Sequence, residues 1–203
     1  AKSNLGIGAG TGITGVTGTN NQAFGTGSGN SVSTNWNLAI GDGAGVNVSG
    51  GNANQAIGFQ AGDNVKGGWN QAIGRSAGDN VTGDHNNAMG FHAGSGVTGS
   101  DNNALRTNAG MNVVGSSNTS LGNGAGQFVT GNRNDATGSN AGQHVTGSDN
   151  EAYGTNAGSN VTGSGNQAYG NGAGQGVNGS NNLSMGQAAG GGVQGNRNQA
   201  FGA

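Results

Sequence analysis

Apolar residues return along this chain at a fixed interval that is much longer than the period of a helix face or a strand. Aligned on asparagine, a representative unit reads Asn70-Gln-Ala-Ile-Gly-Arg-Ser-Ala-Gly-Asp-Asn-Val-Thr-Gly-Asp-His85. Small apolar residues hold its third and eighth places, a bulky apolar residue the fourth, and valine the twelfth. The asparagine recurs at Asn54, Asn70, Asn86, Asn102, Asn118, Asn134, Asn150, Asn166, Asn182 and Asn198, every sixteen residues. The same phase reaches back through Asn37, Asn21 and Asn4, with one extra residue in the unit that starts at Asn37 and another in the unit that starts at Asn4. Such a period, filling residues 1–203, predicts a single repeat domain in which stacked units share one continuous core.

The residues within a unit select its local structure. The twelfth place is valine from Val32 and Val48 through Val177 and Val193, a β-branched column suited to a pleated surface. Three glycines in sixteen residues would each cost a helix about 1 kcal/mol, whereas at corners glycine supplies positive φ without steric penalty. The pattern predicts an all-β, parallel β-solenoid (a β-roll) of about twelve coils with two short strands in each. In the Asn70 unit, strand one lies near Gln71 to Ile73, Ala77-Gly78 turns the chain, strand two is centred on Val81, and Gly83 returns it. Asparagine repeating at one corner predicts a ladder in which each side-chain amide donates to one neighbour and accepts from the other.

The third place accepts only alanine, serine or glycine, which marks an enclosed position. The fourth place is bulky: Ile40, Ile57, Ile73, Met89, Leu105, Leu121, Tyr153, Tyr169, Met185 and Phe201, broken by Thr137. Neighbouring residues of a strand face opposite ways, which leaves two arrangements. Either alanine points in and the fourth place forms an apolar stripe outside, or the bulky residues fill a larger core. The size limit at the third place favours the first, and an exposed stripe of that length predicts a partner surface, with a second copy of the chain as the first candidate.

Composition narrows the functional classes. The chain has 49 glycines, no proline or cysteine, 30% hydrophobic and 7% charged residues, and a net charge of -2. Apolar content this low resembles that of a disordered chain, but a strict repeat argues against disorder. Without cysteine there are no disulfides and no thiolate metal sites. The six basic residues are scattered and leave no electrostatic footprint for nucleic acid. No apolar run is long enough to predict a membrane span.

Candidate chemistry is sparse. His85, His92 and His144 fall at three different places of the repeat and lack metal-ligand spacing. Asp63 and Asp79 share the tenth place of adjacent coils, too few ligands for a calcium cage, and are read as solvated turn residues. Glycine and serine are too common here for phosphate-loop or nucleophile motifs to discriminate, so no enzyme and no cofactor is expected. Trp36 and Trp69 at the sixteenth place, with Phe59 and Phe91 at the sixth, form a candidate ligand patch. The threonines at the thirteenth place, Thr82, Thr98, Thr130, Thr146 and Thr162, raise an ice-binding reading that Lys66, Val114, Asn178 and Gln194 interrupt.

The segments Asn54-Gln-Ala-Ile-Gly58, Asn70-Gln-Ala-Ile-Gly74 and Asn37-Leu-Ala-Ile-Gly41, each followed by Ala-Gly and then Val-x-Gly, resemble the head repeats of trimeric autotransporter adhesins. Similar repeats occur in some bacteriophage tail fibres. The resemblance covers essentially the whole chain, although the coil here is longer than in the familiar heads and no neck, heptad stalk or membrane anchor is present. It implies a left-handed roll, three chains packed side by side at a cell or virion surface, and binding to host matrix, glycan or a protein receptor. The expected function is therefore a non-enzymatic extracellular fibre segment that acts as an adhesin or binds a receptor. The alternative is a structural filament subunit assembled head to tail, because solenoid ends without capping segments offer unpaired strand edges.

Overall fold

In the computed structural model, which describes residues 3–11 and 15–202, the chain is an all-β parallel β-solenoid with about twelve turns of about sixteen residues. It divides into two compact units, Ala1–Asp101 and Asn102–Ala203. The first unit carries strand one of successive coils at Leu5–Ile7, Gln22–Phe24, Leu38–Ile40, Gln55–Ile57, Gln71–Ile73 and Asn87–Met89. The second carries it at Asn103–Leu105, Thr119–Leu121, Asp135–Thr137, Glu151–Tyr153, Gln167–Tyr169, Leu183–Met185 and Gln199–Phe201. In each unit every residue pairs with its own counterpart one coil on, as in Gln55↔Gln71, Ala56↔Ala72 and Ile57↔Ile73, or Glu151↔Gln167, Ala152↔Ala168 and Tyr153↔Tyr169.

The second strand is shorter than expected. Among the described residues only Ser49–Gly50 and Lys66–Gly67 form a two-residue pair; in other coils a single bridge joins thirteenth-place residues, such as Thr82↔Thr98 or Thr130↔Thr146. Asn80 (φ 55°) and Gly83 (φ 136°) bracket the extended pair Val81-Thr82. Left-handed residues are far commoner than one Ala-Gly turn requires: in the Asn70 unit Gly74, Ser76, Gly78, Asn80, Gly83 and His85 all have positive φ. From Gly74 to Asn80 every second residue is left-handed, and the N–H groups of these residues bond to both adjacent coils. Ser76 and Asn80 donate back to Phe59 and Asp63, while Gly78 donates forward to Ala93.

The interior is thin and tightly dimensioned. The third-place and eighth-place alanines and the twelfth-place valines are buried except for Val16, Val193 and Ala200 in the terminal coils, which are half-buried, so the alanine faces in and the bulky fourth place faces out. The ninth-place glycine lies directly against the third-place alanine: a Cβ on Gly78 would stand 2.8 Å from the Ala72 Cβ, and one on Gly142 2.8 Å from that of Ala136. That approach explains the size limit, since a longer side chain at the third place would strike the opposite wall.

The asparagine ladder forms in both units and uses more bonds than the amide-to-amide ladder predicted. The Asn150 Oδ1 accepts from the backbone N–H and the Nδ2 of Asn166, both at 3.0 Å. The Asn150 Nδ2 donates to Asn134 Oδ1 and to the carbonyl of Gly163, each at 3.0 Å. Both donors and both lone pairs of the buried amide are thereby engaged, and the second donor closes the coil on itself. The seventeen-residue unit that starts at Asn37 keeps the ladder intact, with Asn54 bonded to Asn37 Oδ1 at 3.0 and 3.1 Å. Its extra residue sits in the return turn at Gly50-Gly51, where a Cβ on Gly51 would come within 2.2 Å of the Gly68 nitrogen.

One coil breaks the backbone rule. The fifth place is left-handed and held by glycine, as at Gly138 (φ 132°), except for Arg106 at φ 101°. There the Gly122 N–H reaches the Leu105 carbonyl at 3.2 Å, against 2.8 Å for Gly74 to Ile57. Arg106→Gly is expected to raise stability by about 1 kcal/mol, the relieved strain exceeding the entropy that glycine adds to the unfolded chain. Asn150→Ala, which strands buried groups of Asn166 and Gly163, is expected to cost about 2–4 kcal/mol. Urea unfolding followed by circular dichroism checks both.

Candidate functional site

In the second unit the space among Ala136, Val145, Ala152 and Val161 is about 20 Å³, room for a single water. On the outer surface, places of the repeat line up as columns because each strand pairs in register.

The fourth-place column is the predicted stripe. In the first unit Ile40 and Met89 are exposed, and Ile57 and Ile73 are half-buried. In the second unit Tyr153, Met185 and Phe201 are exposed, and Leu105, Leu121 and Tyr169 are half-buried. The partial cover comes from copies of the same residue stacked above and below. Tyr153 and Tyr169 stack at 5.4 Å with their planes 5° apart. The Tyr169 hydroxyl donates to the Glu151 carboxylate, and that bond, with burial and the nearby Glu151 charge, pushes its phenol up to about 12. Second-place residues share the outward face, so Asp135 and Glu151 border the tyrosine section with negative charge.

The four aromatic residues expected to form one patch are divided between two places. Arg75 lies between Phe59 and Phe91, its guanidinium 5.5 and 5.6 Å from their centroids, so cation–π contacts already occupy both rings. Trp36 and Trp69 stand before strand one, whereas Phe59 and Phe91 follow it, so the strand separates the pairs. Among the described residues no ring contact joins tryptophan to phenylalanine. The histidines likewise rest on neighbouring rings, His85 on Trp69, His92 on Phe91 and His144 on Phe128. Among the described residues no group of three or more His, Asp or Glu is arranged to hold a metal.

Asp63 and Asp79 are not the solvated turn residues expected from the sequence. Asp63 Oδ1 accepts the Val46 N–H at 3.0 Å, and Asp79 Oδ1 accepts the Asp63 N–H at 3.1 Å. Burial pushes the Asp63 carboxyl up to about 6 despite the bond from Val46, with the Asp79 charge adding to the rise. Burial also raises Asp79, against the bond from Asp63.

A second polar ladder at the fifteenth place escaped sequence reasoning. Asp84 Oδ1 accepts the Gly68 N–H at 2.7 Å, and Asn132 Oδ1, Ser148 Oγ and Ser164 Oγ each accept the N–H of the residue at that place one coil earlier, at 2.8 to 3.0 Å. The signal available was the restriction of that place to short polar side chains and glycine, which reads as ordinary turn composition. Family models, curated proteins and solved structures contain no match to the chain.

The raised Asp63 carboxyl sets a pH dependence. The unfolded chain gives up this proton near the ordinary carboxylate value of 3.8 and the folded chain only near 6. Its contribution to stability is present below pH 4 and lost as pH rises through 6. Asp63→Asn keeps the acceptor for Val46 and is expected to match the wild type near pH 4 and exceed it at pH 7.5 by roughly 1–2 kcal/mol after allowance for screening. Thermal melts of both proteins across that range check the sign.

Proposed function

We propose that this chain is a non-enzymatic, extracellular β-solenoid segment of a surface fibre that acts as an adhesin or binds a receptor, and that copies associate side by side through the fourth-place stripe. The observation that carries this reading is the outward-facing apolar column in each unit. A tightly packed alanine interior is paired with bulky residues left outside it, and apolar surface of that extent calls for a partner. A flat, in-register sheet face suits a second copy, because columns repeating at one spacing mesh along their length. The resemblance of the Asn-x-Ala-x-Gly repeat to adhesin heads supports a trimer and a location at a cell or virion surface.

The non-enzymatic part of the reading is supported by how the ionisable groups are used. Asp63 and Asp79 serve the backbone, Arg75 is sandwiched by phenylalanine, and Arg133 is held by Asp149 at 2.6 Å.

Sedimentation of the wild-type chain is expected to give a trimer, and Ile57→Lys with Ile73→Lys a monomer with unchanged circular dichroism. A monomeric wild type would overturn the association. Electron microscopy showing long filaments instead of discrete particles would shift the assignment to a structural filament subunit.

A further inference from the structure

Trp36 and Trp69 are the only two tryptophans of the chain, and they expose 65% and 62% of their surface. Backbone bonds fix their spacing. The N–H groups of Trp36, Ala53 and Trp69 donate to the carbonyls of Thr19, Asn35 and Asn52 at 3.1, 2.9 and 2.8 Å, so the three residues hold one place on three consecutive coils. Two coil steps put the tryptophans roughly 9–10 Å apart, with only the methyl group of Ala53 between them. All three are left-handed, at φ 63°, 60° and 61°, a conformation costly for a residue as large as tryptophan. Neither indole contributes to the core, and the left-handed backbone belongs to this place of the repeat in general, as at His85 (φ 57°) and Asp101 (φ 61°).

The surroundings are polar and ordered. His85 stacks on the far side of Trp69, 6.4 Å away with planes 9° apart, and its Nδ1 lies 3.9 Å from Asp101. Beside the gap, Asn35 Oδ1 accepts the Thr19 N–H at 2.7 Å and Asn52 Oδ1 accepts the Asn35 N–H at 2.9 Å. Both carbonyl oxygens are thus committed to the backbone, which leaves the side-chain N–H₂ groups as donors toward a ligand.

We infer that Trp36, Ala53 and Trp69, with the amides of Asn35 and Asn52, form a binding site for an extended β-1,4-linked glycan. In such a chain every second sugar turns the same face to one side, and that disaccharide repeat matches two coil steps. The apolar C–H face of one pyranose packs on each indole. The intervening sugar lies over Ala53, where a larger side chain would obstruct it, and its hydroxyls accept from the asparagine amides. This site deepens the receptor-binding reading above, on which its biological use rests, by naming the class of ligand.

Because there are only two tryptophans, tryptophan fluorescence of the intact protein, excited at wavelengths where tyrosine does not absorb, reports on this site alone. Titration with cellohexaose or chitohexaose is expected to give a saturable blue shift, and maltohexaose or the monosaccharides a response at least tenfold weaker. Trp36→Ala or Trp69→Ala is expected to weaken binding at least tenfold by calorimetry. Ala53→Arg should do the same with both tryptophans in place, and the fold tolerates arginine there, since Arg133 and Arg197 hold that place at φ 54° and 61°. No response to either β-linked hexamer, or binding unchanged in these variants, overturns the site. A wild type that associates but ignores glycans overturns this inference alone, and a monomeric wild type that binds them overturns only the stripe.

Discussion

The fold depends on a buried amide that has every partner it can use. A primary amide withdrawn from water carries two donors and two acceptor positions, and each one left unmatched is costly. Here the asparagine at the start of each coil binds the previous coil through one N–H, closes its own coil through the other, and receives two bonds from the next coil. The same side chain therefore defines the corner, the closure and the stacking. A chain with 30% hydrophobic residues lacks the apolar mass of an ordinary domain, and this polar column performs part of the organising role that a larger core performs elsewhere.

The dimensions follow from the wall-to-wall contact of the ninth-place glycine with the third-place alanine. That approach leaves no interior space for the bulky fourth place, so the apolar residues needed for further burial lie outside. Exposure of the stripe is thus a geometric result of a thin interior. The outer face is not uniform: the fourth place of the second unit includes the stacked Tyr153 and Tyr169, bordered by Asp135 and Glu151.

Much of this was legible in the residues. The period, the inward alanine, the twelfth-place valine and the asparagine corner all derive from side-chain size or chemistry that a repeat displays many times over. Backbone conformation was less legible. Half of the left-handed places in the Asn70 coil, Ser76, Asn80 and His85, carry side chains, so counting glycines misses them. The fifteenth-place ladder was hidden because Asp84, Ser100 and Asn132 do similar work with different side chains. The aromatic patch divided because the five residues that separate Trp69 from Arg75 include strand Gln71–Ile73, a distance that composition does not reveal.

The unit that starts at Asn37 shows where this architecture accepts a change of length. Its additional residue enters the return turn at Gly50-Gly51, yet the asparagines on either side remain bonded and the strands remain in register. Most places in the coil are constrained by a neighbour above, below or across the interior, and this turn is the segment seen to bulge without disturbing them. It is consequently the natural port for grafting: a peptide epitope inserted there would be displayed from a scaffold whose periodic contacts continue past it, and copies placed in successive coils would be spaced by the sheet itself.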